Sequence, residues 1–178
     1  MGSWAVFLSP ERVLMKNNVR FLAKSGMIAA LYIALTAVSA MLGLASGAVQ
    51  VRISEALCVL PLFTASAIPG VTVGCLLSNL IFGGTVYDII FGTLATLIGA
   101  VICRWLKKLP YLSSLPTILS NAVIIPVVLI LSGAGGWNML PYFMATVALG
   151  EIIACGVFGT ILVFYLKHHP QTCAVLFR

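Results

Sequence analysis

Charge is scarce in this chain. Asp, Glu, Lys and Arg make up 8% of its 178 residues, where a soluble domain carries roughly 25%. Mean hydropathy is +1.14. A soluble fold is thereby excluded, and so is a disordered chain, which needs polarity and charge. The chain lacks a GxxxxGKS/T run, so it holds no nucleotide-driven motor of its own. It also lacks HExxH, GxSxG and any cluster of metal-ligand spacing, which leaves an enzyme without a nucleophile or metal set. CxxC is missing, and the cysteine count is five, an odd number. All but Cys173 lie in apolar runs, where a thiol serves as a small apolar side chain. His168 and His169 follow Lys167 at the end of an apolar run and read as an interfacial cluster rather than ligands. Two related halves, common in secondary transporters, are not evident.

What is present is apolar: 61% of residues, the composition of an integral membrane protein. Ten Lys+Arg stand against four Asp+Glu, a formal charge of +6. The bases sit at the ends of apolar segments, so membrane topology explains them and no nucleic-acid partner is needed. Residues 1–14 read as a leader, an alternative start or an expression-derived segment. Residues 15–170 read as a single membrane domain, followed by a tail at 171–178.

A helix needs about 20 residues to cross the hydrocarbon. Charges delimit the runs, and the stretch between Glu55 and Asp88 is broken by Pro69-Gly70, a turn signal. Reading that stretch as two short passes gives six helices, near 25–45, 54–68, 70–83, 86–106, 115–132 and 139–166. Both termini are then cytoplasmic. Arg12, Lys16, Arg20, Lys24, Arg104, Lys107, Lys108, Lys167 and Arg178 fall inside, and only Arg52 falls outside. A single pass would leave four bases inside and six outside, so the positive-inside rule selects six passes. The expected fold is an all-α bundle with a cytoplasmic bend at Pro69-Gly70.

Beyond Glu11, the acids are Glu55, Asp88 and Glu151. Glu55 and Asp88 open helices from the outer side. Glu151 lies about 18 Å down the last helix, at 1.5 Å per residue. A charge at a helix centre costs about 2.5–3.5 kcal/mol on insertion scales. A chain that has shed most of its charge and keeps these acids is expected to use them. The structural alternatives are definite. An acid at a helix start favours the positive dipole end, and Arg52 and Glu55 are spaced to pair on one turn. Arg52, Glu55, Asn79, Tyr87, Asp88, Trp137 and Asn138 are expected around one outer vestibule with Glu151 as its floor. Tyr87 and Trp137 are either belt aromatics or walls that stack a planar ligand. Asn121 reads as bonding backbone or a neighbouring helix. Such a pocket is rich in acceptors and suits a ligand with N–H donors or a positive charge. The outer stretches 46–54 and 133–141 are candidate gating loops.

Small residues recur at helical spacing. Ala30 and Ala34, with Ala37 beyond, form a small-xxx-small face on the first helix. Gly92, Ala95 and Gly99, and later Gly150 and Ala154, read as packing positions inside the bundle.

The run VRISEALCVLP at 51–61 resembles the VRxSEALxxLP signature of the QueT family. So do PGVTVGCLLSN at 69–79, DIIFGTLAT at 88–96, residues 116–121 and the pair Gly150-Glu151. The likeness spans about residues 20–167. It implies a six-helix substrate-specificity (S) component of an energy-coupling factor (ECF) transporter. Such a component sits multi-pass in the bacterial plasma membrane and needs no cofactor. It works with a transmembrane T subunit and two ATPases, and it binds a queuosine precursor, a deazaguanine base or queuine. The resemblance also implies that Ala30 and Ala34 meet the T subunit. In that setting Glu151 takes the guanine edge, Asp88 or Glu55 an aminomethyl arm, Asn79 the carbonyl, and Trp137 or Tyr87 the ring. The rival readings are an S component for another vitamin-like solute and a homo-oligomeric channel or facilitator.

Overall fold

The computed structural model describes residues 10–44, 50–169 and 171–173, with side chains from residue 18 onward. Most of the expected leader and part of the tail lie outside these residues, as do positions 46–49 of the candidate gating loop at 46–54.

The described chain is helical throughout. Helix α1 is Pro10–Met41. A 3₁₀ helix follows at Ile53–Leu62, then α2 at Ala67–Ile81. A π-helical turn, Asp88–Gly92, runs straight into α3, Thr93–Trp105. Helix α4 is Leu115–Leu131. Helix α5, Leu140–Glu151, continues through a π-helical segment, Ile152–Phe158, into α6, Gly159–His168. The segments expected to be helical are helical over most of their described length, except that the one expected at 54–68 is broken at 63–66. Among the described residues, four helices are long and apolar enough to cross a membrane: Asn18–Met41, Asp88–Lys108, Pro110–Leu131 and Trp137–His168. The 3₁₀ helix and α2 are shorter.

The 3₁₀ helix is the core of the bundle. Its residues from Ser54 to Leu62 are all buried. A rod that is apolar on every side must be wrapped, and α1, α2, α3, α6 and the Ile152–Phe158 segment wrap it. Its tight winding gains length. At about 2.0 Å per residue its span is about 20 Å, against about 15 Å for the same residues as an α-helix. It therefore nearly matches α2, at about 22 Å.

The reversal between these two rods is at residues 63–66, which corrects the expectation of a bend at Pro69-Gly70. Phe63 and Thr64 N–H donate back to the Leu60 carbonyl at 2.9 and 3.1 Å. Ser25 Oγ on α1 ties the turn down by donating to the Ser66 carbonyl at 2.9 Å. Pro69 lies instead in the first turn of α2, where its missing N–H costs nothing because that turn has no intrahelical acceptor for it.

Gly70 has a different task, shared with Gly74 one turn later. A Cβ on Gly70 would stand 2.9 Å from Ile28 Cβ, and one on Gly74 would stand 2.7 Å from Tyr32 Cβ. These glycines let α1 and α2 pack backbone to backbone. Gly74→Ala should therefore cost about 1–3 kcal/mol by overpacking, lowering the thermal midpoint in detergent by roughly 3–10 °C. Gly26→Ala is the matched control, since a Cβ there meets nothing within 4 Å.

The other small-residue positions divide as expected. Gly92, Ala95, Gly99, Gly150 and Ala154 are buried inside the bundle. Ala30 and Ala34 are exposed, on a face of α1 that also shows Met27, Leu31 and Val38.

The bundle has two unlike ends. Arg104, Lys107 and Lys108 lie at the close of α3 and just beyond it, and Lys167 at the close of α6. Arg104 Nη1 donates to the Pro61 carbonyl at 2.9 Å, so the 63–66 reversal belongs to this basic end. Lys167 Nζ sits over the Tyr111 ring, 5.2 Å from its centroid.

Candidate functional site

At the end of the bundle away from those bases is a cavity of about 240 Å³. The segment entering the 3₁₀ helix contributes Gln50, Arg52 and Glu55, and α2 contributes Cys75 and Asn79. Asp88, Gly92 and Thr96 come from the π-helical turn and α3, and Asn121, Ile125 and Leu129 from α4. Ala134 and a face of α5 complete the lining: Tyr142, Phe143, Thr146, Val147 and Glu151. Of the expected site residues, Arg52, Glu55, Asn79, Asp88 and Glu151 share this cavity. Tyr87, Trp137 and Asn138 are exposed and lie outside its lining. The aromatic wall is instead Tyr142 and Phe143, whose ring centroids are 5.8 Å apart.

The acids differ in what already holds them. Glu55 is buried, at 3% exposure, and both oxygens are engaged. Tyr32 Oη donates to Oε1, and Cys58 Sγ donates to Oε2 at 3.1 Å. The expected Arg52–Glu55 pair does not form among the described residues. Arg52 Nη1 donates to Asn79 Oδ1 at 3.0 Å instead. Arg52 is the N-cap of the 3₁₀ helix with an extended backbone, so it stands outside the turn that would carry its side chain over Glu55.

Asp88 is half-buried and forms a capping box with Thr85. Its Oδ2 accepts from Thr85 N–H at 3.0 Å, and its own N–H donates to Thr85 Oγ1 at 3.2 Å. The Thr-x-x-Asp spacing produces this reciprocal pair at a helix start. The helix-start reading of Asp88 thus has its geometry, and the residue lines the cavity as well.

Glu151 is the acid with an open valence. It closes α5 where the π-helical segment begins. Asn121 Nδ2, on α4, donates to Oε1 at 2.7 Å. Oε2 is buried with no partner among the described residues. Thr93 and Thr117 Oγ1 share that condition, but neither lines the cavity. A buried carboxylate oxygen without a donor costs about 1–3 kcal/mol or more, and an acceptor left open in a cavity calls for an occupant. Chemically the site offers a fixed carboxylate, a guanidinium and an aromatic pair to a small planar solute with N–H donors.

Helix α1 was missed as a support of the site. Tyr32 holds Glu55, Thr36 Oγ1 donates to Ser54 Oγ at 2.9 Å, and Ser39 Oγ accepts from the Ile53 N–H at 2.9 Å. Their spacing, a polar stripe along one helix face, is the signal that finds them. Stepping back from Glu151 by fours likewise reaches Val147 and Phe143.

An apolar helical bundle enclosing a polar cavity is an arrangement that suits a membrane transport protein. The chain belongs to the QueT transporter family, whose model matches residues 22–168. No curated protein and no solved structure gives a significant match to it.

Proposed function

We propose that this chain is the substrate-binding S component of an ECF-type importer. It captures a queuosine precursor, a deazaguanine base or queuine, from outside the bacterial plasma membrane. A T subunit and two ATPases then deliver the solute inward. The observation that carries this reading is the partnerless Oε2 of Glu151 in the cavity. A deazaguanine edge presents adjacent N–H donors, and a carboxylate accepts such a pair in bidentate fashion. Tyr142 and Phe143 cover the ring. Glu55, with both oxygens engaged, shapes the site, and Asp88 at its edge receives a cationic arm.

Six passes with both termini cytoplasmic agree with the two unlike ends of the bundle. The basic end faces the cytoplasm and the cavity faces out. The short rods, at about 20 Å, cross where the bilayer thins or the rods tilt. The exposed Ala30–Ala34 face is the docking surface for the T subunit.

Mass spectrometry of the purified protein tests the solute. A co-purifying deazaguanine base is expected. A vitamin-like molecule in its place would move the chain to another S-component specificity. No retained solute, together with transport in the absence of any ATPase, would favour a channel.

A further inference from the structure

The bonding of Arg52 and Asn79 separates two roles that their positions in sequence merge. Asn79 is engaged at both ends of its amide. Its Oδ1 accepts from Arg52 at 3.0 Å, and its Nδ2 donates to the Asp88 carbonyl at 3.1 Å. The same Nδ2 lies 3.6 Å from Cys75 Sγ, which takes its second hydrogen. A primary amide has two N–H donors, so Asn79 has none left for a ligand. Arg52 is in the opposite condition. Its guanidinium carries five donors in a rigid fork, and the acceptor described for it is Asn79 Oδ1 alone. The neighbouring carboxylates do not absorb those donors: Glu55 is held by Tyr32 and Cys58, and Oδ2 of Asp88 by Thr85.

We infer that Arg52, and not Asn79, reads an oxygen acceptor on the ligand, the lactam carbonyl beside the N–H edge held by Glu151. Asn79 is the positioning residue that aims the guanidinium. This rests on the ligand being a deazaguanine base and deepens that reading. The cavity selects a donor edge and a carbonyl acceptor on one small ring system.

The test is equilibrium binding of two probes to the purified full chain: 7-deazaguanine and its 6-thio analogue. The analogue keeps the ring N–H and the 2-amino group but replaces the carbonyl oxygen with a weak sulfur acceptor. Wild-type protein should prefer the oxo base by about tenfold. Arg52→Gln should shrink that preference to about twofold or less, and Arg52→Lys, which keeps charge but loses the fork, should shrink it too. Asn79→Ala, which removes the acceptor that aims the guanidinium, should lower the ratio in part. Glu151→Gln should weaken both probes and leave the ratio standing. An unchanged ratio in both Arg52 variants, with both probes bound, overturns the assignment. Wild-type protein that binds neither probe overturns the reading of the ligand instead.

Discussion

Glu151→Gln is expected to weaken capture of the deazaguanine base by roughly 30- to 150-fold, the equivalent of about 2–3 kcal/mol for a charge-assisted hydrogen bond. The substitution is nearly isosteric, so helix packing around the Gly150-Glu151 pair is preserved. What changes is the atom facing the cavity. An amide cannot accept two N–H donors with both ends, and its NH2 opposes the donor edge of the ligand. The hydrogen bond from Asn121 has a sequel. Asn121→Ala frees Glu151 to rotate and should weaken binding by less than the Gln change does. Asp88→Asn is the contrasting case. It perturbs a capping box worth about 0.5–2 kcal/mol of helix stability and should act mainly on the thermal midpoint when the ligand lacks a cationic arm. Calorimetric titration in detergent or lipid discs separates these outcomes. An affinity left unchanged by Glu151→Gln would remove that residue from the site.

The second large effect concerns α1 and spares the cavity. Ala30→Leu combined with Ala34→Leu should reduce uptake in cells by about tenfold or more while leaving base binding to the isolated chain within about twofold. Both alanines are exposed, so leucine at these positions meets no internal neighbour. Across a helix pair, small residues let backbones approach closely, and leucines hold them apart. The purified double variant should therefore fail to retain a T subunit. Normal uptake by this variant would show that the partner docks elsewhere.

Much of this was legible in the sequence because scarce charge is informative. Arg52, Glu55, Asp88 and Glu151 stood out against an apolar background, and all of them line one cavity. Hydropathy located the four long helices and misplaced the boundary between the two short rods. The failures have physical causes. Pro69-Gly70 carries a turn signal, yet proline is equally at home in a first helical turn, and Gly70 answers to the approach of α1 rather than to a bend. Such a contact between helices far apart in sequence leaves no local trace. Trp137 and Tyr87 read equally as belt aromatics or as walls, because large aromatics near polar loops suit either place, and both lie outside the cavity lining. The ring pair that lines the cavity, Tyr142 and Phe143, is ordinary in composition, and only Phe143 shares a step of fours with Glu151. Tyr32 shares a polar stripe with Thr36 and Ser39, but its meaning is supplied by the acid it meets on the 3₁₀ helix.

The functional claim stands on a partnerless carboxylate oxygen answering a donor-rich base. The most direct measurement compares small molecules released from wild-type and Glu151→Gln protein, purified side by side from the same medium and identified by mass. The wild-type chain should release a deazaguanine base in near-equal proportion to protein, and the variant should release little or none. Equal retention of the same base by both proteins, or an unrelated solute from the wild type, would contradict the account.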